Sequence, residues 1–416
     1  MQLISDRSRS PQPSPLTAAD PGIPTAAYVH IPFCRRRCYY CDFPISVVGD
    51  RTRGETSGAI AQYVDHLCQE IITTPNRGNP LETVFFGGGT PSLLSVSQLE
   101  QILDILDRHF GIAATAEISI EIDPGTFDQD HLQGYRAAGI NRVSVGVQAF
   151  QAELLATCGR THTPADIYAA ADLIHQVGIS NWSLDLISGL PNLTEEHWME
   201  SLQEAIALSP THISVYDLTI EPGTVFGRRY QPGSDPLPSD ETTAQMYRQA
   251  QHTLTQAGYQ HYEISNYAKP GYPCRHNRVY WENRPYYGFG MAAASYVGGQ
   301  RFTRPRKRQE YFQWVQELIA ANGKIDCPIT PPHEVLLDTL MLGLRLAEGL
   351  NLSQLIRQFG TATIQRVLQI LQPYMKTGWV VIENASGTEE QLKLTDPEGF
   401  LFSNVVLTAL FEQFDE

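Results

Sequence analysis

Three thiols stand close together near the start of the chain, Cys34, Cys38 and Cys41, at C-x3-C-x2-C spacing. They follow Tyr28-Val29-His30-Ile31-Pro32-Phe33, and Tyr39, Tyr40 and Phe43 are interleaved with them. Ala26 to Ile31 is apolar and strand-like. Proline cannot donate a ladder hydrogen bond, so Pro32 ends the strand and a loop begins. Such a loop can curl three sulfurs around one small inorganic body. A structural zinc site calls for four protein ligands, usually as two C-x2-C-like pairs. No fourth Cys or His follows closely, and position 43 is Phe. Three cysteines suit an iron–sulfur cube instead, with thiolates on three irons and the fourth iron open to a non-protein ligand. The plainer alternative is three cysteines that merely share a loop.

Other stretches could also carry chemistry. Gly87-Gly88-Gly89-Thr90-Pro91 follows an apolar run, Thr83 to Phe86. Glycines let a backbone approach a ligand and turn its N–H and C=O groups toward it, although a tight turn uses them equally well. Glu121 ends an alternating strand, Ile118 to Ile122, where a carboxylate can accept hydrogen bonds from ribose hydroxyls or simply face solvent. Arg35, Arg36 and Arg37 form a basic patch beside the thiols. It is a solvated loop or a dock for an anionic substrate or electron donor.

These residues need elements to hold them. Helical period runs through 95–109, 128–138, 163–177, 194–208 and 239–257. Gly139 and Gly178 stop two of these helices, and Thr194 can cap another, with Glu195 and Glu196 in its first turn. Strands are expected at 117–122, 142–147, 181–187 and 212–218. Strands alternating with helices imply parallel βα units, and in parallel barrels the chemistry collects at the C-terminal strand ends. The cysteines follow the first strand, Gly87 to Thr90 the second, Glu121 and Asp123 the third, and Gln148 the fourth. Asp185 ends the fifth, and Tyr216 and Asp217 the sixth. The polar and glycine signals therefore gather at one rim of an α/β, partial (β/α)6 barrel.

The chain divides as a Ser/Pro-rich disordered tail over 1–24, the barrel over 25–265, a linking region over 266–330 and a C-terminal domain over 331–416. The linking region is rich in Tyr, Gly, Pro and Asn and holds Cys274 to Trp281. The last part combines helical period at 334–346, 352–359 and 364–377 with a hairpin over 379–394 and a final helix from about 399 to 411. That pattern is winged-helix-like, with few basic residues, and reads as a protein or lid module.

A net charge of −15 argues against a sequence-independent grip on nucleic acid, which needs a basic surface. The start of the chain has no apolar signal region, and no stretch of about 18 apolar residues exists, so no transmembrane helix is expected. Peripheral membrane contact stays open. Seven cysteines, an odd number, fit a reducing cytoplasm rather than a disulfide framework. Cys68, Cys158 and Cys327 are isolated and read as small apolar fillers.

The cysteine spacing after a first strand, with an aromatic just before the last thiol, resembles the radical SAM superfamily. In that superfamily the amino and carboxylate groups of S-adenosylmethionine bind the open iron of a [4Fe-4S] cluster, and one electron cleaves the cofactor to a 5′-deoxyadenosyl radical. His30 to Cys34 with Tyr40 to Phe43 is similar to one branch, the oxygen-independent coproporphyrinogen oxidases and their haem-chaperone relatives. The resemblance implies that Cys34, Cys38 and Cys41 hold the cluster. It carries ribose contact to Glu121 and further cofactor contacts to Tyr28, Tyr40, Gly88, Gly89, Thr90, Gln148, Arg160 and Asp185. Several of the later positions contact a second S-adenosylmethionine in the oxidase, and whether this chain binds one stays open.

His276, with Asn277, Tyr280 and Trp281, matches the HNxxYW stretch of the chaperone relatives. A neutral imidazole is a usual haem ligand and aromatics can stack on the macrocycle. A packed aromatic junction is the other reading, and Cys274 could compete as a thiolate ligand. The oxidase carries a further Cys two residues after the third, where this chain has Phe43. That departure points to a haem chaperone serving haem-acceptor proteins, with a reductant such as flavodoxin or ferredoxin. The oxidase itself and a radical methyltransferase are the alternatives.

Overall fold

The alternation seen in the strands decides which face does what. In the computed structural model, which describes residues 22–50, 53–385 and 389–414, six parallel strands lie in sequential order. They are β1 (Ala26–Ile31), β2 (Leu81–Gly88), β3 (Ile112–Ile122), β4 (Arg142–Gln148), β5 (Asn181–Ser188) and β6 (His212–Asp217). Val29, Val84, Phe86, Ile118, Ile120, Val143, Val145, Leu184 and Ile213 form one buried apolar set that belongs to the main core. The intervening residues pair in register across the other face: Tyr28 with Phe85, Thr83 with Glu117, Ser119 with Arg142, Glu121 with Ser144, Ser183 with His212 and Asp185 with Ser214. This second set is mostly polar. It makes an interior furnished for hydrogen bonding rather than for dispersion alone.

Helices cover the apolar face, and local signals set their ends. In α1 (Gly58–Thr73), Ile60, Tyr63, Val64, Leu67 and Ile71 are buried at helical spacing. Ser95 and Gln98 close a capping box on α2 (Val96–Phe110). Asp128 caps α3 (Gln129–Ala137), Thr163 precedes α4 (Pro164–Val177), Thr194 caps α5 (Glu195–Ala207) and Ser239 caps α6 (Asp240–Gln256). Gly178 ends α4 in the left-handed conformation, φ 76°.

The linking region is more ordered than its composition suggests. At one edge β8 (Asn266–Ala268) pairs antiparallel with β6, and β7 (Gln260–Glu263) pairs antiparallel with β8. A seven-residue helix, α7 (Arg275–Trp281), packs at the N-terminal end of β2, and β9 (Tyr287–Phe289) pairs parallel with β1 at the other edge. The sheet thus has nine strands, and its two edges are not bonded to each other. Strands of three and four residues are too short to show a period, which is why they escape a sequence reading. A further helix, α8 (Arg308–Ala320), lies against α1.

The C-terminal part has a core of its own, in which Leu336, Leu340, Leu355, Val367, Leu371, Leu392 and Phe400 are buried together. The hairpin Val380–Ala385 and Glu389–Leu394 gains a third strand, Leu350–Asn351, and the expected last helix is broken in two, Glu398–Leu401 and Ser403–Phe414. Arg248 donates to both Glu398 carboxylate oxygens and His261 bonds Asp396 at 2.9 Å, joining this part to the barrel. Of the expected disordered tail, 1–21 lie outside the described residues. No helix among the described residues is long and apolar enough to cross a membrane.

Candidate functional site

The thiol loop is closed by its own backbone. Phe33–Cys34 pairs in parallel with Ser46–Val47. The Arg37 side chain donates to the carbonyls of Cys41 and Phe43 at 3.1 and 2.9 Å, and Cys41 N–H donates to Cys38 O. Tyr39 N–H donates to Cys158 O, and Phe226 N–H donates to Tyr39 O. The loop is therefore held at its middle and at both ends without any bound group.

Cys34, Cys38 and Cys41 are half-buried and line one cavity of about 420 Å³. Gly88, Gly89, Thr90, Glu121, Asp123, Ser144, Gln148, Arg160, Asp185 and Tyr216 line it too. Most come from the C-terminal ends of the strands and the turns after them, as the rim argument expects, while Ser144 and Asp185 lie within β4 and β5 and Arg160 follows the helix Ala152–Thr157. Among the described residues no three His, Cys, Asp or Glu side chains converge on a point as one metal ion would require. Burial pushes the Cys34 thiol up to about 12 and raises that of Cys41, so these two are thiols in the loop by itself. Bound iron would be needed to make them thiolates.

The glycines have a steric reason. A Cβ on Gly88, φ 118°, would lie 2.6 Å from the His30 ring, and one on Gly89 would lie 2.7 Å from Phe33 O and 2.9 Å from Cys34 Sγ. The turn after β2 must therefore be bare for the thiol loop to pass over it. Gln148 is a non-glycine held at φ 71° beside a register shift in β4, the kind of strained position that gathers at sites.

Two carboxylates stand in the cavity wall. Glu121 accepts from Gly88 N–H at 3.0 Å. Asp185 accepts from Ser144 Oγ at both oxygens, 3.1 and 3.0 Å, and from Ser183 Oγ at 3.2 Å. Burial raises both, with Asp185 adding to the effect on Glu121, which is pushed up to about 8. An acid whose pKa is higher folded than unfolded stabilises the fold fully below its unfolded value, and that contribution is lost as pH rises through the folded one. Glu121→Gln keeps an acceptor for Gly88 and cannot ionise. Its thermal midpoint relative to the unsubstituted protein is expected to improve steadily from about pH 5 to pH 8. An offset that stays constant across that range would show that Glu121 does not titrate there.

Of the residues to which the resemblance carried cluster or cofactor contact, all but Tyr28 and His276 line the cavity. Tyr28 lies below it. Its hydroxyl shares a hydrogen bond of 3.0 Å with His30 Nδ1, and its ring stacks on Phe85. His276 stands apart from the cavity. It sits at the N-terminal end of β2, fully buried, with Nδ1 bonded to Thr83 Oγ1 and Nε2 to the Tyr280 hydroxyl, both at 2.8 Å. Phe85 stacks on it from above at 5.3 Å, and Glu117 accepts from its backbone N–H. Cys274 is buried beside it against Glu117. Burial, and then Arg142 and Arg284, lowers the imidazole to about 3, so it is neutral. Ser144 is a cavity residue that the sequence reading passed over, and Asp123 one that it placed at the rim without a contact of its own. Their polar side chains alternating along β4 and following β3 were the available signal.

The chain is similar to known proteins over most of its length. Residues 28–205 match the model of the radical SAM superfamily, and residues 330–400 match that of the HemN C-terminal domain. The chain is 50% identical over 404 residues to "Heme chaperone HemW" of Synechocystis sp., covering 95% of this chain and 98% of that protein. It is 35% identical to the Bacillus subtilis protein of the same name, covering 92% and 98%. The solved structure of coproporphyrinogen III oxidase (HemN) from Escherichia coli superposes with a TM-score of 0.77 at 26% identity, covering 94% of this chain and 91% of that one.

Proposed function

The chain belongs to the HemW family of the radical SAM superfamily, and on that footing we propose that it is a haem chaperone: it binds haem and passes it to acceptor proteins. The full-length likeness to the Synechocystis chaperone carries this reading, since it runs through barrel and C-terminal part alike. In the same proposal Cys34, Cys38 and Cys41 hold a [4Fe-4S] cluster. Gly88, Gly89 and Thr90 flank S-adenosylmethionine, and Glu121 accepts from its ribose. Bound together, these groups supply one-electron chemistry. The chain's own part is to hold three thiols apart, present backbone at the bare turn, and place two carboxylates opposite. The reductant, flavodoxin or ferredoxin by class, meets the exposed face of the thiol loop, where Arg37 donates to Phe43 O and Arg306 to Asp42 O beside the Phe43 ring, itself 58% exposed.

Haem is assigned to His276. Because both ring nitrogens are bonded and the ring is enclosed, ligation requires α7 to release one of those bonds and open toward solvent. His276→Ala is expected to shift the Soret band and weaken haem binding about 10²-fold, each tenfold step being about 1.4 kcal/mol, while leaving the cluster in place. Cys274→Ala is the control. Unchanged spectrum and affinity in both variants would move the haem site away from α7.

A second reading, coproporphyrinogen oxidation, is favoured by the likeness to the oxidase structure over nearly the whole chain. Incubating the reduced protein with S-adenosylmethionine, with and without coproporphyrinogen III or haem, separates the two. Protoporphyrinogen formation selects the oxidase, and a Soret band without it selects the chaperone.

A further inference from the structure

We propose that Asp123 is a positioning residue that holds Arg160 against one of the three cluster thiols, Cys38, and that this relay sets the reduction potential of the cluster. The inference rests on the cluster assignment above.

Two arms meet at the Asp123 carboxylate. On one side Arg160 Nη2 donates to Oδ1 of Asp123 and, at 2.9 Å, to Gly146 O, while Nη1 points at Cys38 Sγ from 3.5 Å. On the other side Thr90 Oγ1 donates to Oδ2 at 3.0 Å and anchors the carboxylate. Asp123 itself is fixed by its main chain, its N–H donating to Ser92 Oγ at 3.2 Å and its carbonyl accepting from Thr126 Oγ1 at 2.6 Å. The Arg160 side chain is 7% exposed and that of Asp123 26%. Burial works against the guanidinium charge, and Asp123, Cys38 and Tyr40 more than offset it, so Arg160 stays cationic.

A buried ion pair is costly unless its geometry is well satisfied, and it is weak evidence for stability alone. Here its positive end is aimed at one cluster thiol. Hydrogen bonds to cluster sulfurs and nearby net charge are established controls of such potentials. Reduction adds an electron, so positive charge near Cys38 favours the reduced state and negative charge opposes it. The pair as it stands is close to neutral, and each half masks the other.

That masking yields a test which a scaffold role would not pass. Asp123→Asn removes the negative half, leaves Arg160 uncompensated and is expected to raise the midpoint potential. Arg160→Gln removes the positive half and is expected to lower it. Arg160→Lys keeps the charge without the fork and should recover most of the loss. The measurement is an anaerobic redox titration followed by electron paramagnetic resonance, without S-adenosylmethionine, with iron and sulfide counted and the fold checked by circular dichroism. Shifts of opposite sign support the relay. Shifts of the same sign, or none, overturn it. So does loss of the cluster from both folded variants, which would make the relay a brace for the loop. If Arg160→Gln alone fails to hold a cluster, the outcome turns on whether Asp123→Asn rises and Arg160→Lys stays near the unsubstituted protein. An unsubstituted protein without acid-labile sulfide would instead sink the cluster assignment itself.

Discussion

Replacing Cys34, Cys38 and Cys41 together by alanine is expected to remove all iron, all acid-labile sulfide and the brown colour from anaerobically prepared protein. The cluster's hold is thiolate ligation, and no neighbour can take over three positions. Cys158 is the nearest other thiol in structural terms, since its carbonyl accepts from Tyr39 N–H, but its own side chain is fully buried and burial pushes it up to about 12. Cys68 and Cys274 are buried elsewhere. The fold should survive, because the loop is closed by the Phe33–Cys34 and Ser46–Val47 pairing and by Arg37, none of which needs a bound group. Circular dichroism should therefore be unchanged while metal analysis falls to background. Full iron content in the triple variant, or zinc without sulfide in the unsubstituted protein, would refute the assignment.

Glu70→Ala is expected to cost about 3–5 kcal/mol of stability, the usual penalty for leaving one partner of a buried pair uncompensated. Glu70 is fully buried on α1, and its carboxylate accepts from Arg304 Nε at 2.7 Å, from Gly290 N–H at 2.8 Å and from the Tyr311 hydroxyl at 2.7 Å. It thus gathers the segment after β9, Arg304 and α8 onto one helix. Tyr63, also on α1, donates from its hydroxyl to His30 O at 2.7 Å and accepts from Met291 N–H at 2.9 Å. Loss of Glu70 should loosen the edge of the sheet that lies beside the thiol loop. Denaturant unfolding measures the cost. The double variant Glu70→Met with Arg304→Met should recover much of it, since replacing both charges removes the orphaned guanidinium. A loss below about 1 kcal/mol for Glu70→Ala would mean that water or Ser295, which already accepts from Arg304, satisfies the guanidinium.

Local chemistry made much of this protein readable from its residues in order. Pro32 after an apolar run ended β1 and opened the thiol loop. Ser95, Asp128, Thr194 and Ser239 each cap the helix they precede, because a side-chain oxygen one position before a helix satisfies a free N–H wherever the rest of the chain lies. The βα alternation placed thiols, bare turn and carboxylates at one rim, since parallel strands share a direction. The period of α1 was equally legible, with Ile60, Val64, Leu67 and Ile71 at helical spacing, and went unread.

What tertiary structure decided was which distant residues meet. His276 belongs to the barrel floor and not to the cavity, because its bonds run to Thr83, 193 residues away. Arg160 reaches Cys38 across 122 positions, and Arg304 reaches Glu70 across 234. Sheet register and the burial of one face over another bring such pairs together. Periodicity and caps act within a few residues and carry no term for them.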